Sequence, residues 1–469
     1  MRLVEDDIYS NLISKVCMPI KCACTVVGAG IGGLSIAALL VHSGIPVTVF
    51  EKSDKVGGRT SSMVFRNHIL DNGFHIMPFY KKSAIYGIFK KLEIESNLKL
   101  IKVKNIAFYD RSKFYNYPKG IGDILNLKLV SFSNRIKLLK ILLPLAFSSI
   151  KKSERWDSIP LTRITKDLDQ DTRSFFDAVC MLAFADVPDH ISLGEFARTI
   201  MRANPLRGGT SEFGYPQNGG YDTIAKILSH NIEKVGEMNS IIKLNSRVQK
   251  IIVKDRSVKG VVTSDGAFVP SDCVIVSYPA YLAINDLFEQ GTFDHEFIAK
   301  VNKLNVTTSV VEVHFALSKK IDERQVVFPV GNDFTAKGIF FISNITRSVS
   351  PKGEHLVLAG TPTSSEDAGK PESIRRISNA MKSDLEKMYP HFKASLIWER
   401  PMAWQLVERV VKKPGVVWKQ KMPHEVNEQV KGLFFVGDST VSYGIGTDSA
   451  AHSALLCHPK IRSYLSSLR

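Results

Sequence analysis

Gly28-Ala29-Gly30-Ile31-Gly32-Gly33 is the first stretch whose residue types and spacing specify chemistry. The run CACTVVG at 22–28, rich in β-branched residues, precedes it and reads as a buried strand. Leu34 to Val41 continues it as an apolar helix that Gly44 ends, and Pro46-Val-Thr-Val-Phe50-Glu51 reads as a second strand. Strand, glycine loop, helix and strand together form the unit that holds a dinucleotide. Gly28 permits the tight turn, Gly30 leaves room for a pyrophosphate against the backbone, and Gly33 lets helix and strand pack closely. The helix start then offers free N–H groups and a partial positive charge to the phosphates. Glu51 lies eighteen residues after Gly33, where a carboxylate can accept bonds from ribose hydroxyls, and Lys52 beside it joins the candidate site.

The next residues distinguish among dinucleotides. Lys55-Val-Gly57-Gly58-Arg59-Thr60 follows directly, then Asp71-Asn72-Gly73-Phe74-His75. Here the sequence resembles the FAD-dependent phytoene desaturase and amine oxidase superfamily, and DNGFHIM is most similar to plant-type carotenoid desaturases and hydroxysqualene oxidoreductases. The resemblance implies FAD, with Gly58, Arg59 and Thr60 along pyrophosphate and flavin, and Arg59 as the cation beside the phosphates. It places Gly73, Phe74 and His75 at the same cofactor and the Val248 backbone at its adenine. Near the far end, GLFFVGDSTVSYGIGTDSAAHSALL at 432–456 is similar to the family's second flavin segment. Gly437 and Asp438 would meet the ribityl chain and phosphate, a loop through Gly444 and Gly446 would open a helix, and the helix start, about Thr447 and Asp448, would point at the flavin pyrimidine, with Gly446 and Thr447 among the cofactor residues. Relatives carry a glutamate and Gly-Ala in that helix; Asp448-Ser-Ala-Ala departs from this, so its side chain is expected to point away. Pro459 is expected to end the helix. Pro216-Gln-Asn-Gly219-Gly220 is similar to a segment at the substrate-side edge of the flavin.

These pieces require an α/β fold: a Rossmann-like FAD-binding domain assembled from segments 1–84, 216–284 and 426–469, with an α+β substrate domain from 85–215 and 285–425. Residues 246–278 read as a three-stranded meander turning at Asp255 and at Asp265-Gly266, with VIVS at 274–277 rejoining the FAD sheet. VVEVHFAL at 310–317 and LVLAG at 356–360 suggest a substrate-domain sheet, and 371–389 a helix over it. Residues 120–152 interleave apolar residues with Lys137, Lys140, Lys151 and Lys152, a pattern that suits both a helix roofing the substrate cavity and a helix lying in a membrane interface.

The 469 residues carry a formal charge of +16, which suits anionic partners such as acidic headgroups or phosphorylated ligands. No zinc-finger spacing, RNA-binding aromatic motif or basic tail accompanies it, so nucleic acid is not expected. The six cysteines match no zinc pattern, no metal site is expected, and a reducing compartment is the default. The absence of a secretory signal and of a long apolar run points to a cytoplasmic protein, peripheral on the membrane if anything. The first seventeen residues are expected to be dispensable, with Met18 as the start. His42, His68, His190 and His314 are scattered, and core packing is the expected role of Trp404, Trp418 and Tyr443.

The resemblance implies hydride removal from an apolar isoprenoid or carotenoid to FAD, the flavin doing the chemistry and cavity shape giving specificity; no side chain is singled out as catalytic. Three alternatives stand beside it: oxidation of an amine or porphyrinogen, a saturase or reductase, and a non-enzymatic prenyl-protein escort. Intact Arg59, Gly437, Asp438 and the Gly444–Gly446 loop argue against the last.

Overall fold

The computed structural model describes residues 24–79, 83–204, 206, 212–331, 333–407 and 412–468. The expectations for residues 1–17, Cys17 and Cys22 lie outside the described residues.

β-branched tetrads build the nucleotide-binding sheet. Cys24–Val27 pairs in parallel with Val47–Phe50 on one side and Val274–Val276 on the other. Ile241–Lys243 and Leu433–Phe435 complete a five-stranded parallel sheet. The sheet thus gathers strands from three distant parts of the chain. Its inner strands are buried throughout because both faces are covered, one by helices and the other by the β-meander and the helix Ala280–Asp286. One cover is the helix Ile31–His42, buried almost all round. It packs between Thr223–Gly236 and the C-terminal helix Gly446–Ser467. The meander forms as Val248–Lys254, Ser257–Thr263 and Phe268–Pro270, turning at Asp255 and Arg256 with left-handed backbone.

The C-terminal helix corrects one expectation. Pro459 does not end it; the helix runs on to Ser467 with Pro459 inside. Proline removes one N–H and crowds one carbonyl a turn earlier, but Cys457 and Ile461 on either side of it are fully buried. Packing against the nucleotide sheet holds the last two turns in place.

A second, seven-stranded sheet runs in the order 396–404, 309–317, 355–363, 338–340, 326–329, 106–110 and 113–116. Its strands are antiparallel except for 326–329 beside 106–110. Along Ser309–Leu317 the residues alternate between two buried faces. Val311, Val313, Phe315 and Leu317 pack under the helix Pro371–Met388 through Ile377, Met381 and Leu385. Glu312 and His314 lie on the opposite face, towards the 71–75 loop.

The segment 120–152 is helical over Phe132–Ala146. Leu138, Leu142 and Leu145 face the interior. Phe132, Lys137, Lys140, Phe147, Ile150, Lys151 and Lys152 are exposed. No helix among the described residues is long and apolar enough to cross a membrane.

Candidate cofactor site

The glycine loop is drawn tight from both ends. Gly28 adopts φ +100° and donates its N–H to Phe50 O at 2.8 Å. A Cβ on Gly33 would lie 2.0 Å from Gly28 O, so only glycine lets the helix start so close to the strand. Ala29 donates its N–H to Glu51 Oε2 at 2.8 Å, and Ser53 donates to Oε1 at 2.9 Å. Each Glu51 oxygen keeps a lone-pair site for a further donor such as a ribose hydroxyl.

The segments far apart in sequence converge on this loop. Gly57 donates to Ala29 O at 2.8 Å, and a Cβ on Gly58 would lie 3.4 Å from Gly30 Cα. A Cβ on Gly32 would lie 3.1 Å from Gly437 Cα. Ile31 is buried beneath the loop, Thr60 caps Gly57 O through its hydroxyl, and Val248 is buried at the start of the meander. Lys52 is exposed beside Glu51. By contrast, a Cβ on Gly30 or Gly437 would meet nothing within 4 Å, so the tips of both glycine loops border open space. Close-packed glycines behind and open glycines in front make a cradle that fits a pyrophosphate.

Arg59 and Asp438 meet at this cradle. Arg59 Nη2 donates to Asp438 Oδ1 at 2.7 Å and Nη1 to Val407 O at 2.6 Å. The guanidinium, expected beside phosphates, is held by a carboxylate and a carbonyl, with its side chain a third exposed. Burial pushes the Asp438 carboxyl up, but Arg59, Lys421 and Lys412 together hold it below the usual carboxylate range. Behind the loop, Lys421 Nζ donates to Asp438 O at 2.8 Å. Thr440 Oγ1 lies within hydrogen-bond distance of Ser453 Oγ, which accepts from Gly437 N at 3.0 Å.

The 71–75 loop lies between the two sheets. Asp71 takes hydrogen bonds from Ser62, Tyr215 and the Tyr221 N–H, yet burial keeps its carboxyl above the usual range. Gly73, at φ +94°, donates its N–H to Glu312 Oε1 at 3.1 Å. Phe74 stacks on Phe340 with centroids 3.7 Å apart. His75 stacks on Tyr221 at 5.0 Å and is pushed below its ordinary range by burial first. The Tyr221 hydroxyl is buried without a hydrogen-bond partner, and the C-terminal helix starts at Gly446. Asp448 points away from that start, its Oδ1 accepting from the Ala84 N–H, and burial raises it to about 6.

Glu312 is the residue that motif reasoning missed. It is buried, and Oε1 accepts from Trp404 Nε1 at 2.6 Å as well as from Gly73. Burial lifts its carboxyl to about 8, so it holds a proton at neutral pH. Trp404 therefore anchors this acid, while Trp418 and Tyr443 pack on each other at 4.3 Å elsewhere. A charged residue interrupting the apolar string VVEVHFAL was the available signal.

Comparison with known proteins agrees with this geometry. Residues 31–457 match the family model for flavin containing amine oxidoreductases. A chloroplastic/chromoplastic 15-cis-phytoene desaturase from an Oncidium hybrid cultivar is 23% identical over 92% of this chain and 76% of its own length. A 4,4'-diapophytoene desaturase (4,4'-diapolycopene-forming) from Methylomonas sp is 22% identical over 93% of this chain and 95% of its own. The solved structure of an oxidoreductase from Methanosarcina mazei superposes with a TM-score of 0.72 at 20% identity, covering 92% of this chain and 99% of the other. With a family model spanning most of its length and a Rossmann-like nucleotide sheet, this chain belongs to the flavin containing amine oxidoreductases.

Proposed function

We propose that this chain binds FAD and desaturates an apolar, isoprenoid-type substrate, one carbon giving a hydride to the flavin and its neighbour losing a proton to solvent, so that a C=C bond is left. The observation that carries the cofactor reading is the cradle in which Gly28–Gly33, Gly57–Thr60 and Gly437–Asp438 converge with open loop tips. FAD would lie with its adenosine ribose at Glu51 and its pyrophosphate at Gly30, Arg59 and Gly437. When bound, the flavin supplies the hydride acceptor. The protein's part is electrostatic and geometric. The helix start at Gly446 and Thr447 favours negative charge gathered at its tip. Protonated Glu312 adds no negative charge that would oppose it.

The substrate class is supported by the likeness to two desaturases, which extends over more than nine-tenths of this chain. The exposed lysines and aromatics around Phe132–Ala146 suit an anionic bilayer from which such a substrate would be drawn. One observation favours a second reading, oxidation of an amine or porphyrinogen: Glu312 and Trp404 place a buried acid and an indole against the 71–75 loop.

An anaerobic visible spectrum separates the two. The purified protein, loaded with FAD, is mixed with 15-cis-phytoene in phospholipid vesicles, and in parallel with benzylamine or protoporphyrinogen. Bleaching of the flavin by phytoene alone is the expected result. Bleaching only by the polar compounds would transfer the assignment to the second reading. Failure to retain any FAD would overturn both.

A further inference from the structure

A group of hydrogen-bond donors without acceptors borders the loop that opens the C-terminal helix. Trp418 packs on Tyr443 with ring centroids 4.3 Å apart, and Tyr443 packs on His452 at 5.1 Å. Arg198 lies over Trp418 at 6.0 Å. Arg202, one turn further along the same face of the helix Leu193–Ala203, brings its charge to Tyr443, His452 and Asp448. Trp418 Nε1 and Arg202 Nη1 are both buried with no hydrogen-bond partner. His452 Nδ1 accepts from the Tyr443 N–H at 2.9 Å, and burial, pushing the ring down to about 4, keeps it neutral, so its proton sits on Nε2. An indole N–H, a guanidinium and an imidazole Nε2–H can donate and cannot accept. Trp418 is also held at φ +25°, a strained backbone for so bulky a residue.

The protein's own carboxylates do not serve these donors. Arg198 shows the contrast, paired with Asp157 at 2.7 Å and Glu195 at 3.0 Å. Arg202 has no such pair among the described residues; its guanidinium donates from Nη2 to Thr199 Oγ1 at 3.2 Å. Glu195 is bonded to Arg198, and Asp448 to the Ala84 N–H. Buried donors left without acceptors are costly, and an acceptor brought by a ligand removes that cost. A carboxylate or phosphate could accept from all three groups and neutralise Arg202. An amine would offer more donors and meet like charge. The Tyr443–Ile445 loop leads into the helix start that meets the flavin in the reading above, so the group lies beside the flavin's place, where a substrate would end.

Resting on that flavin and isoprenoid reading, we propose that Arg202, Trp418 and His452 form a subsite for an oxyanion, a carboxylate or phosphate, that ends the substrate's apolar chain. Arg202 is the specificity-determining residue of this subsite. It selects an acid-ended isoprenoid over the same chain ended by an ester or an amine.

The test is calorimetric titration of the FAD-loaded, full-length protein at neutral pH with farnesoic acid, its methyl ester and farnesylamine. Wild type is expected to bind the acid about ten- to a hundredfold more tightly than the ester, and the amine no better than the ester. Arg202→Met is expected to bind acid and ester alike. Arg202→Lys, which keeps the charge and loses the planar fork, is expected to regain part of the preference. Equal affinity for acid and ester in wild type would overturn the inference, as would a preference that persists in Arg202→Met. Binding of the acid only when FAD is absent would assign these donors to the cofactor and overturn it too. Failure of wild type to retain FAD would instead sink the flavin reading, and the acid preference of the apoprotein would then decide the subsite by itself.

Discussion

Glu312 sits mid-strand in the seven-stranded sheet with Oε1 accepting two hydrogen bonds, and its carboxyl is raised by burial from 4.5 to about 8. That shift has a consequence for stability. Below about pH 4 the group is protonated in both folded and unfolded chains. Between there and about pH 8 the unfolded chain ionises and the folded chain resists, so stability is lost as pH rises. Glu312→Gln keeps an oxygen for Gly73 and Trp404 and cannot ionise. Its thermal midpoint is expected to exceed that of wild type near pH 8, by an amount equivalent to a few kcal/mol on the linkage scale of ~1.4 kcal/mol per unit, and to match it near pH 4. Parallel curves for the two proteins across that range would show that the carboxyl is ionised in the fold. At this scale the sequence was least legible. Gly28, Glu51, Arg59 and Asp438 announce themselves because a local motif fixes their neighbours. Glu312 and Lys421 draw their properties from burial against segments far away in the chain, which no local pattern encodes.

At the scale of elements, the glycine loop separates two jobs that a motif letter conflates. Gly33 is a packing glycine: a Cβ there would collide with Gly28 O at 2.0 Å. Gly33→Ala is expected to destabilise the fold by roughly 1–3 kcal/mol or more and to weaken FAD binding as a by-product. Gly30 adopts an ordinary φ of −73° and faces open space. Gly30→Ala is expected to leave the thermal midpoint of the apoprotein within about 0.5 kcal/mol of wild type yet to abolish FAD binding, because the methyl enters the pyrophosphate's place. Thermal melts and FAD fluorescence titration of both variants check this; equal loss of stability in the two would refute the division of labour. The strands at 24–27, 274–276 and 309–317 could be read from alternation and β-branching, since each buries a continuous or alternating apolar set. The end of the C-terminal helix could not. Pro459 is a local stop signal, and tertiary packing of Cys457 and Ile461 overrides it.

For the whole molecule, the charge of +16 needs a location before it carries a function. One concentration of it lies around Phe132–Ala146, where Leu138, Leu142 and Leu145 grip the interior. Lys137 and Lys140 face outward three residues apart on this helix, Lys151 is exposed on the short helix Ile150–Ser153 that follows, and Phe132, Phe147 and Ile150 are exposed beside them. The roof and the membrane-interface readings of this segment are therefore compatible, because the two roles use opposite sides of one helix. Each lysine near an anionic surface is worth about 1 kcal/mol, and the aromatic ends add burial in the headgroup layer. Reversing Lys137, Lys140 and Lys151 to glutamate should weaken association with phosphatidylglycerol vesicles at least about a hundredfold. Raising the salt on wild type should reproduce part of that loss, since attraction to the surface decays within a Debye length of ~10 Å at 0.1 M. FAD content and the thermal midpoint should not change, because these side chains touch neither the cradle nor the core. Vesicle sedimentation reads the outcome directly. Undiminished binding by the triple variant would show that the positive charge engages membranes elsewhere, and binding by neither protein would leave the helix as a roof alone.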